Sequence, residues 1–105
     1  MFGRRLWEVI AHMLLDMRRN IDAWWPSIEN GAEAVLLTAT GCAPTVMDYG
    51  RLLAGDGAYA ERAGRLASMA MDISVFLERN DLEPMRPPVA PAGPIAFHSP
   101  CSLQH

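Results

Sequence analysis

The segment from residue 84 to residue 94 constrains the fold most strongly, because five of its eleven residues are proline. Proline fixes φ and has no backbone N–H, so this segment cannot continue a helix or a central strand. We expect a semi-extended linker here. The sequence is therefore predicted to divide into residues 1–83, the linker 84–94, and residues 95–105, in which a second structural unit begins.

Composition and charge exclude several classes of function. Half of the 105 residues are hydrophobic and a fifth are charged, which is typical of a soluble globular protein. The net charge of -3 predicts no nucleic-acid partner. Glu8 and His12 interrupt the first apolar stretch, which argues against a signal peptide, and no run approaches the roughly 18 apolar residues of a transmembrane segment. We expect reduced cysteines and a location either free in the cytoplasm or peripheral at the inner membrane face.

Two apolar stripes with alternating steps of three and four residues predict amphipathic helices. The first helix should end near residues 23–25, because Pro26 disfavours helical geometry at the residue before it. Another helix should include residues 45–54. The last should follow the "GDG" turn at 55–57, with Asp56 as its N-cap, and run to about Arg79. The two stripes are Leu6, Ile10, Met13, Met17, Ile21 and Trp24, and Tyr59, Ala63, Leu66, Ala70, Ile73 and Leu77.

Two short apolar runs predict strands, "AVLLTA" at residues 34–39 and "IAFH" at residues 95–98. Strands separated by helices pair in parallel through right-handed crossovers. The predicted fold is therefore a partial, helix-rich, Rossmann-like α/β unit with two short parallel strands. Each run is followed by small or polar residues, a cysteine and a helix start, so Cys42 and Cys101 are expected at the carboxyl edge of the sheet, where chemistry gathers in such folds.

The cysteines and histidines each allow more than one interpretation. Cys101 follows Ser99 and Pro100 at a predicted helix start, where the helix dipole favours a thiolate for metal binding or nucleophilic attack. The alternative is a small buried hydrophobic residue, which is the commonest role of a lone cysteine. His98 and His105 are weaker candidate ligands. Two cysteines 59 residues apart, without a C-x-x-C pair, do not form a zinc or cluster signature by spacing.

Longer motifs resemble the iron-sulfur subunit of glycolate oxidase (glycolate dehydrogenase) in its cysteine-rich CCG region. They are "RRNIDAWWPSIENGAEAVLLTATGCAPTVMDYGRLLAGDGAYAERA" and "PIAFHSPCSLQH". The resemblance implies a truncated part of an oxidoreductase subunit that carries electrons through [4Fe-4S] clusters, with flavin-containing subunits as partners. It implies that residues 1–83 are a partial first CCG-type repeat and 95–105 the start of a second. Cys42 and Cys101 would then be cluster or redox cysteines, and His98 belongs to the motif around Cys101.

Departures from the family pattern limit what the lone chain can do. Ala43 replaces the family glycine after the first cysteine, and no "CCG" occurs in the sequence. Because a [4Fe-4S] cluster needs four ligands, we expect no cluster and no activity in the isolated chain. Two alternatives remain: a small standalone interaction protein that docks on a flavoprotein subunit, or a thiol- or metal-binding module that uses Cys101.

Overall fold

The computed structural model describes residues 2–89 and 92–101. Within them the chain forms a helix-rich α/β unit in which two three-residue strands pair in parallel, with Val35 opposite Ala70 and Leu37 opposite Asp72. This confirms the predicted fold class. The elements in chain order are α1 (Phe2–Glu29), β1 (Val35–Leu37), α2 (Ala43–Met47), α3 (Tyr49–Leu52), α4 (Ala60–Met69), β2 (Ala70–Asp72), α5 (Ile73–Glu78) and a 3-10 turn (Glu83–Met85).

The second strand is not at the predicted place. Residues 95–98 are irregular, and the side chains of Ile95 and Phe97 are 74% and 82% exposed. Instead, β2 interrupts the helix predicted to run from Tyr59 to Arg79. Ala70 leaves α4 with extended backbone angles and pairs with β1. Long-range pairing and burial thus overcome a helical pattern that is continuous in the sequence.

The first helix passes through Pro26 and ends at Glu29, four to six residues later than predicted. Proline removes one hydrogen bond, but Ile28 in the added turn is 2% exposed and packs in the core. Gly31 then ends the helix with a φ of 98°. Its N–H donates to the carbonyl of Ile28, and that of Ala32 donates to Ser27, which is the Schellman pattern.

Only the second half of the first apolar stripe is buried. Met17 and Ile21 are 4% and 0% exposed, whereas Leu6, Ile10 and Met13 are 61%, 36% and 47% exposed. The physical reason is length, since a 28-residue helix extends about 42 Å and the remaining elements cover only part of it. The core consists of Met17, Ile21, Ile28, Val46, Tyr49, Leu53, Ala63, Leu66 and Ala70.

Polar contacts fix α1 against the start of α4. Arg18 donates from Nε to Asp56 Oδ2 at 2.8 Å, and the hydroxyl of Tyr59 donates to Asp22 Oδ2 at 2.8 Å. The hydrogen bond from Arg18 lowers the pKa of Asp56. Asp56 Oδ1 also accepts from the backbone N–H of Ala58 at 3.0 Å, so Asp56 caps the turn before α4 rather than α4 itself, which begins at Ala60.

The predicted helix over residues 45–54 is present as two short helices that meet at Asp48. Asp48 accepts hydrogen bonds from Arg51, and its backbone N–H donates to the carbonyls of Pro44 and Thr45. The second of these helices, α3, packs closely on α4. A Cβ atom placed on Gly50 would lie 3.2 Å from the Cα of Gly64, so two glycines allow this approach.

Candidate functional site

Strand β2 and the loop that follows β1 border one cavity of about 450 Å³. The loop after β1 supplies one wall, α2 a second, and the end of α4 with β2 and α5 the remainder. The residues that give it chemical character are Thr40, Met47, Ser68, Asp72 and Arg79. Parallel strands bring these groups together because both strands end on the same side of the sheet.

Asp72 is the buried polar residue of this edge, with 5% of its surface exposed. Its Oδ1 accepts from the backbone N–H of Ser74 at 2.9 Å and from the Ser74 hydroxyl at 2.6 Å, which caps α5. Oδ2 is buried and meets the geometric criteria for a hydrogen bond with no partner among the described residues. The side chain of Thr40 nevertheless helps to lower the pKa of Asp72. The Ser74 hydroxyl is the largest cause of the lowered pKa of Asp72.

Cys42 lies beside this cavity, five residues after the end of β1. Its N–H donates to the carbonyl of Ala39 at 2.9 Å, and its own carbonyl accepts from Val46 N–H at 3.2 Å as α2 begins. The thiol is free and exposed, while the next residue, Ala43, is 4% exposed. The predicted position of Cys42 at the carboxyl edge of the sheet is therefore confirmed, and its sulfur is accessible from outside.

Cys101 has a free, exposed thiol as well, but it does not follow a strand. The chain before it is irregular, and His98 is exposed. The expectation that both cysteines follow parallel strands is thus wrong for Cys101, because residues 95–98 do not pair with the sheet. The helix predicted to begin with Ser99 as its N-cap and Pro100 at its first position is not formed at residues 99–100, and its continuation and the candidate ligand His105 lie outside the described residues.

The donor set of the described residues does not fit a complete iron–sulfur site. Within residues 2–89 and 92–101, no group of three or more His, Cys, Asp or Glu side chains is placed so that it could hold a metal ion. A [4Fe-4S] cluster takes four protein ligands, usually cysteines, and this chain has two cysteines in all. The same part of the chain contains no helix long and apolar enough to cross a membrane.

The sequence pattern did not single out Asp72, because this residue lies inside the segment whose apolar spacing predicts one continuous helix. The signal that could have revealed it is the order "DIS" at residues 72–74. An aspartate two residues before a serine can accept both the serine N–H and hydroxyl and so begin a new helix. This local pattern marks a boundary where the apolar spacing shows none.

Comparison with curated proteins identifies a relative among the iron-sulfur subunits of oxidases. That relative is the glycolate oxidase iron-sulfur subunit of Escherichia coli (strain K12), to which this chain is 46% identical over 88 residues. The aligned part is 84% of this chain, and the resemblance found in the sequence motifs is therefore confirmed.

The similarity covers a limited part of the relative. The chain spans 21% of the length of the E. coli subunit. No protein-family model and no solved structure matches the chain.

Proposed function

We propose that this chain is part of the electron-transfer subunit of an enzyme complex that oxidises glycolate or lactate. The observation that carries the proposal is the 46% identity to the E. coli iron-sulfur subunit across most of the chain. Proteins this similar over 88 residues share a fold, and the exposed Cys42 at the sheet edge supplies a residue suited to redox chemistry.

Cys42 and Cys101 are the two residues that we assign to this function. Both thiols are free and solvent-accessible, as ligands of a cluster or partners in thiol redox chemistry must be before assembly. Because two thiolates fall short of the four that a [4Fe-4S] cluster takes, each would be one ligand of a site that other residues complete. The lone chain then holds no cluster and does not oxidise substrate by itself.

The remaining assignments follow from the same proposal. Residues 1–83 form one partial CCG-type repeat, the segment 84–94 is a linker, and residues 95–105 begin the second repeat. The partners are flavin-containing subunits, which carry the substrate chemistry in such a complex. The site of action is the cytoplasm, either free or at the inner face of the membrane.

A chimera tests the function directly. The aligned 88 residues of this chain replace their counterpart in the E. coli iron-sulfur subunit, which is expressed with its partner subunits. We expect the chimera to assemble, to contain as much iron and acid-labile sulfide as the parent, and to support glycolate-dependent reduction of an electron acceptor. A chimera that folds and assembles but transfers no electrons would contradict the proposal.

The role of Cys42 is tested in the same chimera. Cys42→Ser should reduce iron content and electron transfer, whereas Thr38→Ala, a change at an exposed residue of the same loop, should leave both unchanged. Anaerobic treatment of the lone chain with iron and sulfide provides a separate test. A stoichiometric cluster lost in Cys42→Ala or Cys101→Ala would show that the chain is a complete metal-binding module and would refute the assignment of shared ligands.

A further inference from the structure

The loop that carries Cys42 faces solvent except at one residue. Residues 38–42 connect β1 to α2, and four of them are exposed, whereas Thr40 is half-buried. The N–H of Cys42 donates to the carbonyl of Ala39 at 2.9 Å, which closes a four-residue turn with Thr40 at its second position. Thr40 is therefore the residue through which the rest of the protein can hold this turn.

Thr40 lies beside Asp72 at the end of β2. Leu37 is opposite Asp72 in the sheet, and paired strands are about 4.8 Å apart, so the loop after β1 begins next to this aspartate. Thr40 and Asp72 also line the same cavity. The Ser74 hydroxyl lowers the pKa of Asp72 most, and the Thr40 side chain lowers it further, as a hydroxyl that donates to an ionised carboxylate does.

Asp72 is a fixed anchor rather than a ligand-binding group. The residue is 5% exposed and its Oδ2 is buried, so a dissolved molecule or ion does not reach this oxygen. Its Oδ1 accepts from the N–H and the hydroxyl of Ser74 at 2.9 Å and 2.6 Å, which ties the carboxylate to the start of α5. Because a buried ionised oxygen is costly unless a donor is near it, the carboxylate favours the conformation that keeps the Thr40 hydroxyl beside it.

We propose that Asp72 is a positioning residue for Cys42, and that it acts through Thr40 to hold the turn 39–42 against the end of β2. The thiol of Cys42 is free and exposed, so its location depends on the backbone that carries it. A ligand or redox group that is already in place loses less conformational entropy when its site is completed. This benefit rests on the proposed role of Cys42, whereas the hold on the turn is a property of the lone chain.

Hydrogen exchange of the Cys42 N–H in the full chain, measured by NMR, reports how often the turn opens. Thr40→Val replaces the hydroxyl with a methyl group, and Asp72→Asn removes the charge while asparagine can still cap α5. Each should accelerate exchange at least about tenfold, as expected when a hydrogen bond to a charged group is lost. Thr40→Ser retains the hydroxyl and should stay within about threefold of the native rate. Thr38→Val, the same substitution at an exposed residue of the same loop, is the matched control and should change the rate by less than about twofold.

A double variant tests whether the two residues act through one contact. Thr40→Val combined with Asp72→Asn should exchange within about twofold of the faster single variant, since the contact is lost only once. The N–H of Asp56 distinguishes a local effect from a general loss of stability, because it donates to the carbonyl of Leu53 at 3.0 Å in the turn before α4. Its exchange should stay within about twofold of the native rate in every variant.

Four results would overturn the proposal: an unchanged Cys42 rate in Thr40→Val, an equal effect of Thr38→Val, effects that multiply in the double variant, or equal acceleration at Asp56. Failure of the electron-transfer proposal is a separate outcome. It would be seen in the chimera, while the exchange rates of the lone chain would still differ as stated.

Discussion

The close approach of α3 to α4 predicts opposite effects of alanine at two glycines. Gly64 lies inside α4, and a Cβ there would meet no atom within 4 Å. Gly64→Ala should therefore increase the free energy of unfolding by about 0.5–1 kcal/mol, since alanine loses less backbone entropy on folding. Gly50→Ala has the same entropic advantage, but its Cβ would lie 3.2 Å from the Cα of Gly64.

That contact cannot be relieved by a rotamer change, because the nearest atom belongs to the backbone of α4. The two helices must separate by a few tenths of an ångström, and overpacking of this kind typically costs about 1–3 kcal/mol. The entropic gain offsets part of this cost. We expect Gly50→Ala to be less stable than Gly64→Ala by about 1–3 kcal/mol.

Urea denaturation followed by circular dichroism measures this difference. With a slope of about 1–3 kcal/mol per molar urea, the two midpoints should differ by at least roughly 0.3 M, with the native protein between them or close to Gly50→Ala. Equal stabilisation of both variants would refute the reasoning, because it would show that α3 and α4 are not in backbone contact at Gly50. A change in slope would indicate loss of two-state unfolding rather than a packing effect.

Further predictions concern the core, the buried carboxylate and the thiols. Leu66→Ala removes a side chain that is 0% exposed and should lower the free energy of unfolding by about 2–5 kcal/mol, whereas Leu52→Ala at 36% exposure should cost about 1 kcal/mol or less in the same denaturation assay. Because the pKa of Asp72 is lowered on folding, its ionised form stabilises the protein above the ordinary pKa of 3.8, and this contribution is lost as pH falls through the folded-state pKa. The urea midpoint of Asp72→Asn should thus lie below that of the native protein at pH 7 and approach it on acidification; a constant gap would contradict the assigned cause. Cys42 and Cys101 are exposed, so a thiol reagent should modify as many thiols in the native chain as in urea, and a protected thiol would disprove their accessibility.

The sequence was sufficient to predict β1 and the position of Cys42, because both depend on local signals. The apolar run of residues 34–39 is bounded by turn residues, and its central part is the strand Val35–Leu37. Small residues then lead directly into α2, so the cysteine must lie near the carboxyl end of the strand. Such features require no knowledge of distant parts of the chain.

The position of β2 depends on non-local contacts and could not be predicted in the same way. Residues 70–72 satisfy a helical apolar period, yet they are extended because Val35–Leu37 is available to pair with them. Residues 95–98 show the reverse case. Their residue types favour a strand, but no strand among the described residues pairs with them. Strand preference is mostly a preference for a neighbouring pleated surface, so residue type alone cannot decide between these segments.

The parallel pairing of β1 with β2 has a consequence for the order of folding. The paired residues are thirty-five positions apart, and the chain between them contains α2, α3 and α4. Closing so long a loop costs entropy, whereas α3 and α4 are neighbours in sequence and can meet early. Once these helices have packed, the two strand ends are held close together and the loop that remains to be closed is much shorter. We therefore expect the sheet, together with the edge that carries Cys42, to form after the helices that connect its strands have packed.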